Sequence, residues 1–138
     1  MDDKLDNYIS TEQKIKRYHS EEIMLILFIC SADLSDYKKE DLVNFSEAIE
    51  GRIEVLFEPS FLLGLSDHLE ITPEVLEDFQ RLRELLISFY SSSWHKKMQE
   101  KAIWGKVSDL SSGLLKRLNI DWVEPNKFID NHLEVDWT

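Results

Sequence analysis

Apolar residues recur along most of the chain at the three- and four-residue spacing that is typical of amphipathic helices. The clearest case lies in the middle of the chain, between Asp36 and Glu58. At ~100° per residue, its apolar positions fall within an arc of roughly 80°. These positions are Leu42, Phe45, Ile49, Ile53 and Leu56. The pattern predicts one helix, weakened by Gly51 and ended by Pro59, which disfavours helical geometry at the residue before it.

Further helices are predicted in the second half of the chain. Thr72 is a predicted N-cap, and the proline that follows it suits the first helical position. The apolar stripe of this helix runs to about Tyr90, and the serines at 91–93 interrupt it. A new helix starts at Trp94, and a shift in its apolar face predicts a kink or break between Lys101 and Gly105. Pro125 is predicted to start a short helix through Ile129.

The first third of the chain has one continuous apolar run, from Ile23 to Cys30. Ser10 and Thr11 can cap a first helical segment, and a helix then starts or continues at Ser20 and ends near Ala32. A buried strand is the alternative for residues 25–30. Four residues near position 68 are similar to four residues near position 132. This similarity leaves open a minor two-stranded pair near residues 68–72 and 132–136. The sequence therefore predicts a single all-α domain over residues 1–138, a bundle of five to six helices.

Composition narrows the functional classes. The chain has 138 residues, with 16 basic and 27 acidic side chains and a formal net charge of −11. This acidic excess disfavours binding to nucleic acid or to an anionic membrane. A single cysteine cannot form an internal disulfide, the amino terminus has no secretory pattern, and no apolar run could span a bilayer. We therefore expect a cytoplasmic protein.

The charge is concentrated in the middle of the chain. Residues 33–78 carry thirteen acids against three bases, a net charge of −10, whereas residues 79–117 carry a net charge of +5. On a continuous helix, five acids would share an arc of roughly 40° opposite the apolar stripe. Such a stripe is either a solvated face or a docking surface for a basic partner, and acids spaced four residues apart cost helix stability. The candidate partner-binding residues are Asp36, Glu40, Val43, Glu47, Glu50, Glu54 and Glu58.

Other chemistry has little support in the sequence. The four histidines lack the spacing of zinc ligands, and there is no nucleophile or phosphate-loop motif. Cys30 lies in the apolar run, where a thiol is usually buried and has a raised pKa. Lysines beside Trp94 and Trp104 could form a platform for nucleic acid, but these tryptophans also suit the apolar faces of their helices. We predict neither an enzyme nor a cofactor nor a metal site.

Two short segments carry a resemblance to a known family. Ile29-Cys30-Ser31-Ala32-Asp33, followed by Glu40-Asp41-Leu42-Val43, resembles the first two helices of immunity proteins of colicin-type DNases. Pro59-Ser60 and Ser66-Asp67 resemble the loop into the third helix of that family. The Asp-x-x-Tyr-Tyr-Pro signature of the family is absent, with the segment 67–73 in its place. The resemblance covers roughly a quarter of this longer chain.

The resemblance implies a small acidic helical protein that binds a cationic nuclease toxin and blocks it. It also implies specificity residues at Leu42, Val43 and Glu50, of which Leu42 lies on the apolar stripe. We therefore expect an immunity protein or antitoxin that neutralises a basic bacterial toxin, a nuclease in the first instance. The alternative is a helical adaptor or regulatory domain that binds another protein through the region from Trp122 to Trp137.

Overall fold

The computed structural model describes residues 3–89 and 94–133. Its helices, in chain order, are α1 (Asp3–Ser31), α2 (Lys39–Ile49), α3 (Ile53–Leu56), α4 (Pro59–Leu63), α5 (Pro73–Ile87), α6 (Trp94–Gln99), α7 (Lys101–Arg117) and α8 (Pro125–Phe128), followed by a π-helical turn (Ile129–Leu133). The predicted all-α bundle is confirmed. Five of these α-helices have six or more residues, and α3, α4 and α8 are single turns.

The minor strand pair is not observed. No residue in the described ranges lies in a β-strand, and residues 68–72 form turns and irregular backbone. Residues 132 and 133 belong to the π-helical turn, and 134–136 lie outside the described residues. The strand alternative for residues 25–30 is likewise wrong, since these residues belong to α1.

Helix α1 is the central element of the bundle. It runs without interruption for 29 residues, so Ser10 and Thr11 lie within the helix and the predicted cap there is wrong. At 1.5 Å per residue it is about 43 Å long. Its carboxyl-terminal part is buried on all sides because α2, α7, α8 and the π-helical turn pack around it. This surrounding explains why the run from Ile23 to Cys30 is apolar without helical periodicity.

The carboxyl-terminal end of α1 is closed by its own Ser31 and by side chains from distant segments. A helix leaves its last carbonyls without backbone partners, and these carbonyls are costly to bury unbonded. Ser31 donates its hydroxyl to the Leu27 carbonyl at 2.7 Å. Ser108 of α7 donates to the Cys30 carbonyl at 3.0 Å, and the Trp122 indole donates to the Phe28 carbonyl at 2.9 Å. These bonds join α7 and the carboxyl-terminal region to the end of α1.

The second half of the chain follows the predicted helices closely. Thr72 caps α5 as expected, since its hydroxyl accepts a bond from the Val75 N–H at 3.2 Å. The apolar stripe of α5 is buried, and α5 packs against α7. The break lies at Glu100, one residue before the predicted segment from Lys101 to Gly105, and it separates α6 from α7. Pro125 starts α8 as predicted, and the Glu124 carboxylate caps it by accepting from the Lys127 N–H.

The single helix predicted from Asp36 to Glu58 is wrong. The chain leaves helical geometry after Ile49, and Gly51 takes a positive φ of 80°. Helix then resumes for one turn in α3 and again in α4. The apolar periodicity does not reveal the break, because Ile49 before it and Ile53 after it are both buried. Pro59 does end the preceding helical segment, and it also begins α4.

Replacing Gly51 with alanine is expected to destabilise the protein by about 1–2 kcal/mol, because a Cβ disfavours the left-handed backbone region. Nothing lies within 4 Å of the added Cβ, so the backbone alone sets this cost. Gly113→Ala is the matched control: its Cβ also meets nothing, but it lies inside α7 and should stabilise by roughly 0.5–1 kcal/mol. Urea unfolding measures both, and a Gly51→Ala variant as stable as the parent would contradict the assigned turn.

Candidate protein-binding surface

The seven candidate residues lie along a chain of short helices. We call them together the acidic surface: Asp36, Glu40, Val43, Glu47, Glu50, Glu54 and Glu58. Asp36 lies in the turn before α2, and three members lie on α2 itself. Glu50 is the C-cap of α2, Glu54 lies on α3, and Glu58 is the N-cap of α4.

Helix α2 separates its polar and apolar faces cleanly. Glu40, Val43 and Glu47 are spaced by three and four residues, which places them on one side of the helix. All three are exposed, and Val43 keeps 37% of its surface accessible. The opposite face carries Leu42, Phe45 and Ile49, which are buried. Leu42, one of the residues implied by the family resemblance, therefore belongs to the core.

Exposure continues beyond the turn at Gly51. Glu50 and Glu54 are exposed, and Val55 is 58% exposed, whereas Ile53 and Leu56 on the same short helix are buried. Each of the two exposed valines thus lies close in sequence to exposed carboxylates.

Glu58 differs from the other acids because its carboxylate is already bonded. It accepts a hydrogen bond from the Phe61 N–H at 3.0 Å and another from the Ser60 hydroxyl. The Ser60 and Phe61 donors lower the pKa of Glu58 below its ordinary value, because they favour the ionised form. Glu58 is therefore a helix cap with a local structural role, whatever partner the surface binds.

The ion pairs of the described residues leave the acidic surface out. There are seven such pairs, and the acids in them are Glu12, Glu21, Glu22, Asp67, Glu77 and Asp78. Two bases of the segment 79–117 pair with acids outside the acidic surface: Arg81 with Glu77 at 2.7 Å, and Arg117 of α7 with Asp78 of α5 at 3.2 Å. Helix α6 packs against α2, but its Lys97 lies over the Phe89 ring at 5.9 Å from the centroid.

Two arginines close in sequence or in space to the acidic surface bind acceptors other than its carboxylates. Arg52 pairs with Glu22 of α1, with 2.6 Å between Nη1 and Oε2. Arg83 of α5 donates to the main-chain carbonyl of Glu54 at 2.9 Å. The partners in these two contacts are 30 and 29 residues apart in sequence. No local pattern could have indicated them, so sequence reasoning missed all three of Glu22, Arg52 and Arg83.

The other chemical candidates occupy structural positions. Cys30 is fully buried, and burial raises the pKa of its thiol to about 12. Trp94 and Trp104 are buried in the core, which is incompatible with a stacking platform for nucleic acid. Among the described residues, no group of three or more potential ligands is arranged to hold a metal ion. No helix in the described ranges is both long and apolar enough to cross a bilayer.

A cleft of about 270 Å³ opens beside the end of α1, between the segment from Ser31 to Ser35 and the helices α6 and α7. Its Asp33 carboxylate accepts bonds from the hydroxyl and the N–H of Ser35, and both bonds lower the pKa of that carboxyl. The Ser108 hydroxyl in its wall closes the end of α1. These polar groups stabilise the local fold and do not form a nucleophile–base pair.

Comparison with protein-family models, with curated proteins and with solved structures finds no match to this chain. The fold and its surface therefore define the protein by class, as an acidic helical bundle whose carboxylates between Asp36 and Glu58 form the candidate binding surface.

Proposed function

We propose that this protein binds and neutralises a basic bacterial toxin, acting as an immunity protein. The observation that carries the proposal is that exposed carboxylates without ion pairs among the described residues, Glu47, Glu50 and Glu54, follow one another at close spacing. In the described ranges, six other acids make ion pairs, while the carboxylates of the acidic surface make none. Acids of like charge at close spacing repel one another, and a cationic partner would remove that cost.

The acidic surface suits two stages of binding. Exposed carboxylates attract a cationic partner at a distance and raise the association rate, an effect that salt screens. A few central contacts then supply most of the affinity in typical interfaces. Val43 and Val55 are exposed apolar side chains suited to that second role, with Glu47, Glu50 and Glu54 around them in sequence.

We propose a nuclease as the toxin class. A nuclease must bind a polyanion, so its substrate channel is rich in lysine and arginine. A rigid acidic surface can occupy that channel and exclude the substrate. The resemblance of residues 29–33 and 40–43 to immunity proteins of colicin-type DNases supports the same class. Such a function would be carried out in the cytoplasm, where the nucleic acid to be protected lies.

Protection of growing cells tests the proposal directly. The adjacent upstream reading frame is expected to encode the toxin, and inducing its product should stop growth. Co-expression of this chain should restore growth, whereas co-expression of an unrelated acidic helical protein should not. A toxin that kills cells equally with and without the chain would reject the proposal.

The alternative adaptor function, through the region from Trp122 to Trp137, has weaker support. Trp122 is 47% exposed, but its indole N–H is bonded to the Phe28 carbonyl. Phe128 is buried against Phe28, with ring centroids 5.1 Å apart. The described part of this region therefore packs into the bundle, and Trp137 lies outside the described residues.

A further inference from the structure

We infer that the ion pair between Glu22 and Arg52 is a positioning device that keeps Arg52 off the acidic surface. Without this pair, the arginine would neutralise the carboxylates that a cationic partner must reach. The inference rests on the proposed function, because it explains how the binding surface stays acidic. Glu22 and Arg52 are thus positioning residues and need not contact the partner.

Glu22 is well placed to hold the arginine. It is buried on α1, and both of its carboxylate oxygens are engaged. Oε1 lies 2.8 Å from Nδ1 of His19, and Oε2 lies 2.6 Å from Nη1 of Arg52. Charges attract more strongly where water is partly excluded, and an unpaired buried carboxylate is costly. The buried acid therefore competes for Arg52 better than a solvated one.

Arg52 is the cation that matters most for this surface. It is the only lysine or arginine between Glu40 and Gln80. Glu50 and Glu54 lie two residues to either side of it, and 53% of its own side chain is exposed. A released Arg52 could thus rotate through solvent and pair with a neighbouring carboxylate. The turn at Gly51 instead brings it to α1.

Arg83, like Arg52, makes no ion pair with a carboxylate of the acidic surface among the described residues. Its guanidinium binds the main-chain carbonyl of Glu54 and leaves the Glu54 carboxylate exposed and without an ion pair among the described residues. Arg52 and Arg83 each bind an acceptor other than a side-chain carboxylate of the acidic surface. Their positive charge stabilises the fold without occupying the surface carboxylates.

Binding of a fluorescent decalysine peptide at low salt tests the inference without any toxin. Glu22→Met removes the acceptor, and Glu21→Met is the matched control: it removes one acid from the same helix and releases a different arginine, Arg17, which pairs with Glu21 at 3.1 Å. We expect Glu22→Met to bind the peptide about threefold more weakly than Glu21→Met. The double variant Glu22→Met/Arg52→Met should regain the affinity of the parent, because the released cation is gone.

Two outcomes would overturn the inference: equal affinities for Glu22→Met and Glu21→Met, or a double variant as weak as Glu22→Met. Thermal melts establish that each variant is folded at the assay temperature. If Glu22→Met does not fold, Glu22→Ala, which also removes the acceptor, is compared with Glu21→Ala under the same criterion. Failure of the growth-protection assay would remove the proposed function but leave the peptide result intact, so the two failures are distinguishable.

Discussion

Reversing Glu47, Glu50 and Glu54 to lysine is expected to slow association with the toxin by at least about tenfold at low salt. The three carboxylates are exposed and belong to none of the ion pairs of the described residues. Replacing them therefore turns attraction into repulsion without breaking a native contact. Stability should change little, because the three side chains are exposed and the cap bond of Glu50 is made by its backbone N–H to the Ser46 carbonyl, which the substitution retains. Stopped-flow association rates and thermal melts measure the two effects.

A matched control separates the effect of charge at the acidic surface from the effect of the net charge of the whole protein. Glu70, Glu84 and Asp109 are also exposed acids outside those ion pairs, and reversing them changes the net charge equally. This control should slow association much less, and salt should narrow the difference because screening shortens the reach of each charge. Association kinetics at low salt that are the same for the parent and the Glu47, Glu50 and Glu54 variant would reject the acidic surface as the binding site.

Ending the chain after Asp121 is expected to unfold the protein. The deletion removes Phe128, whose buried ring packs edge-on against Phe28, and a buried phenylalanine alone is worth about 3–5 kcal/mol. It also removes the Trp122 bond to the end of α1 and Glu124, which accepts from the Tyr37 hydroxyl at 2.7 Å. The sum approaches the whole stability of a typical domain, about 5–15 kcal/mol. Circular dichroism should show the loss of helix.

A shorter truncation provides the comparison. Ending the chain after Leu133 retains α8 and the π-helical turn, and the protein should remain folded. If that variant still protects cells from the toxin, residues 134–138 are dispensable for the proposed function. If it folds but no longer binds its partner, the adaptor alternative gains support. A folded protein ending at Asp121 would show that the packing of Phe128 and Trp122 contributes little.

Helices with one exposed face were predictable because local chemistry specifies them. The N-cap Thr72, the break near Glu100 and the proline that begins α8 all depend on residues within one or two helical turns. The burial of Cys30 followed from the length of its apolar run in the same way. Predictions failed where two backbone conformations bury the same residues, as at the turn between Ile49 and Ile53.

The sequence by itself determined an all-α bundle, an acidic middle segment and the side of α2 that faces water, because periodicity and composition are local properties. Only the tertiary structure decided which acids are paired. Arg52 is flanked by Glu50 and Glu54 in sequence, yet it pairs with Glu22, thirty residues away. The physical reason is that the turn at Gly51 brings the arginine to a partly desolvated carboxylate, where the attraction between opposite charges is stronger than at the solvated surface.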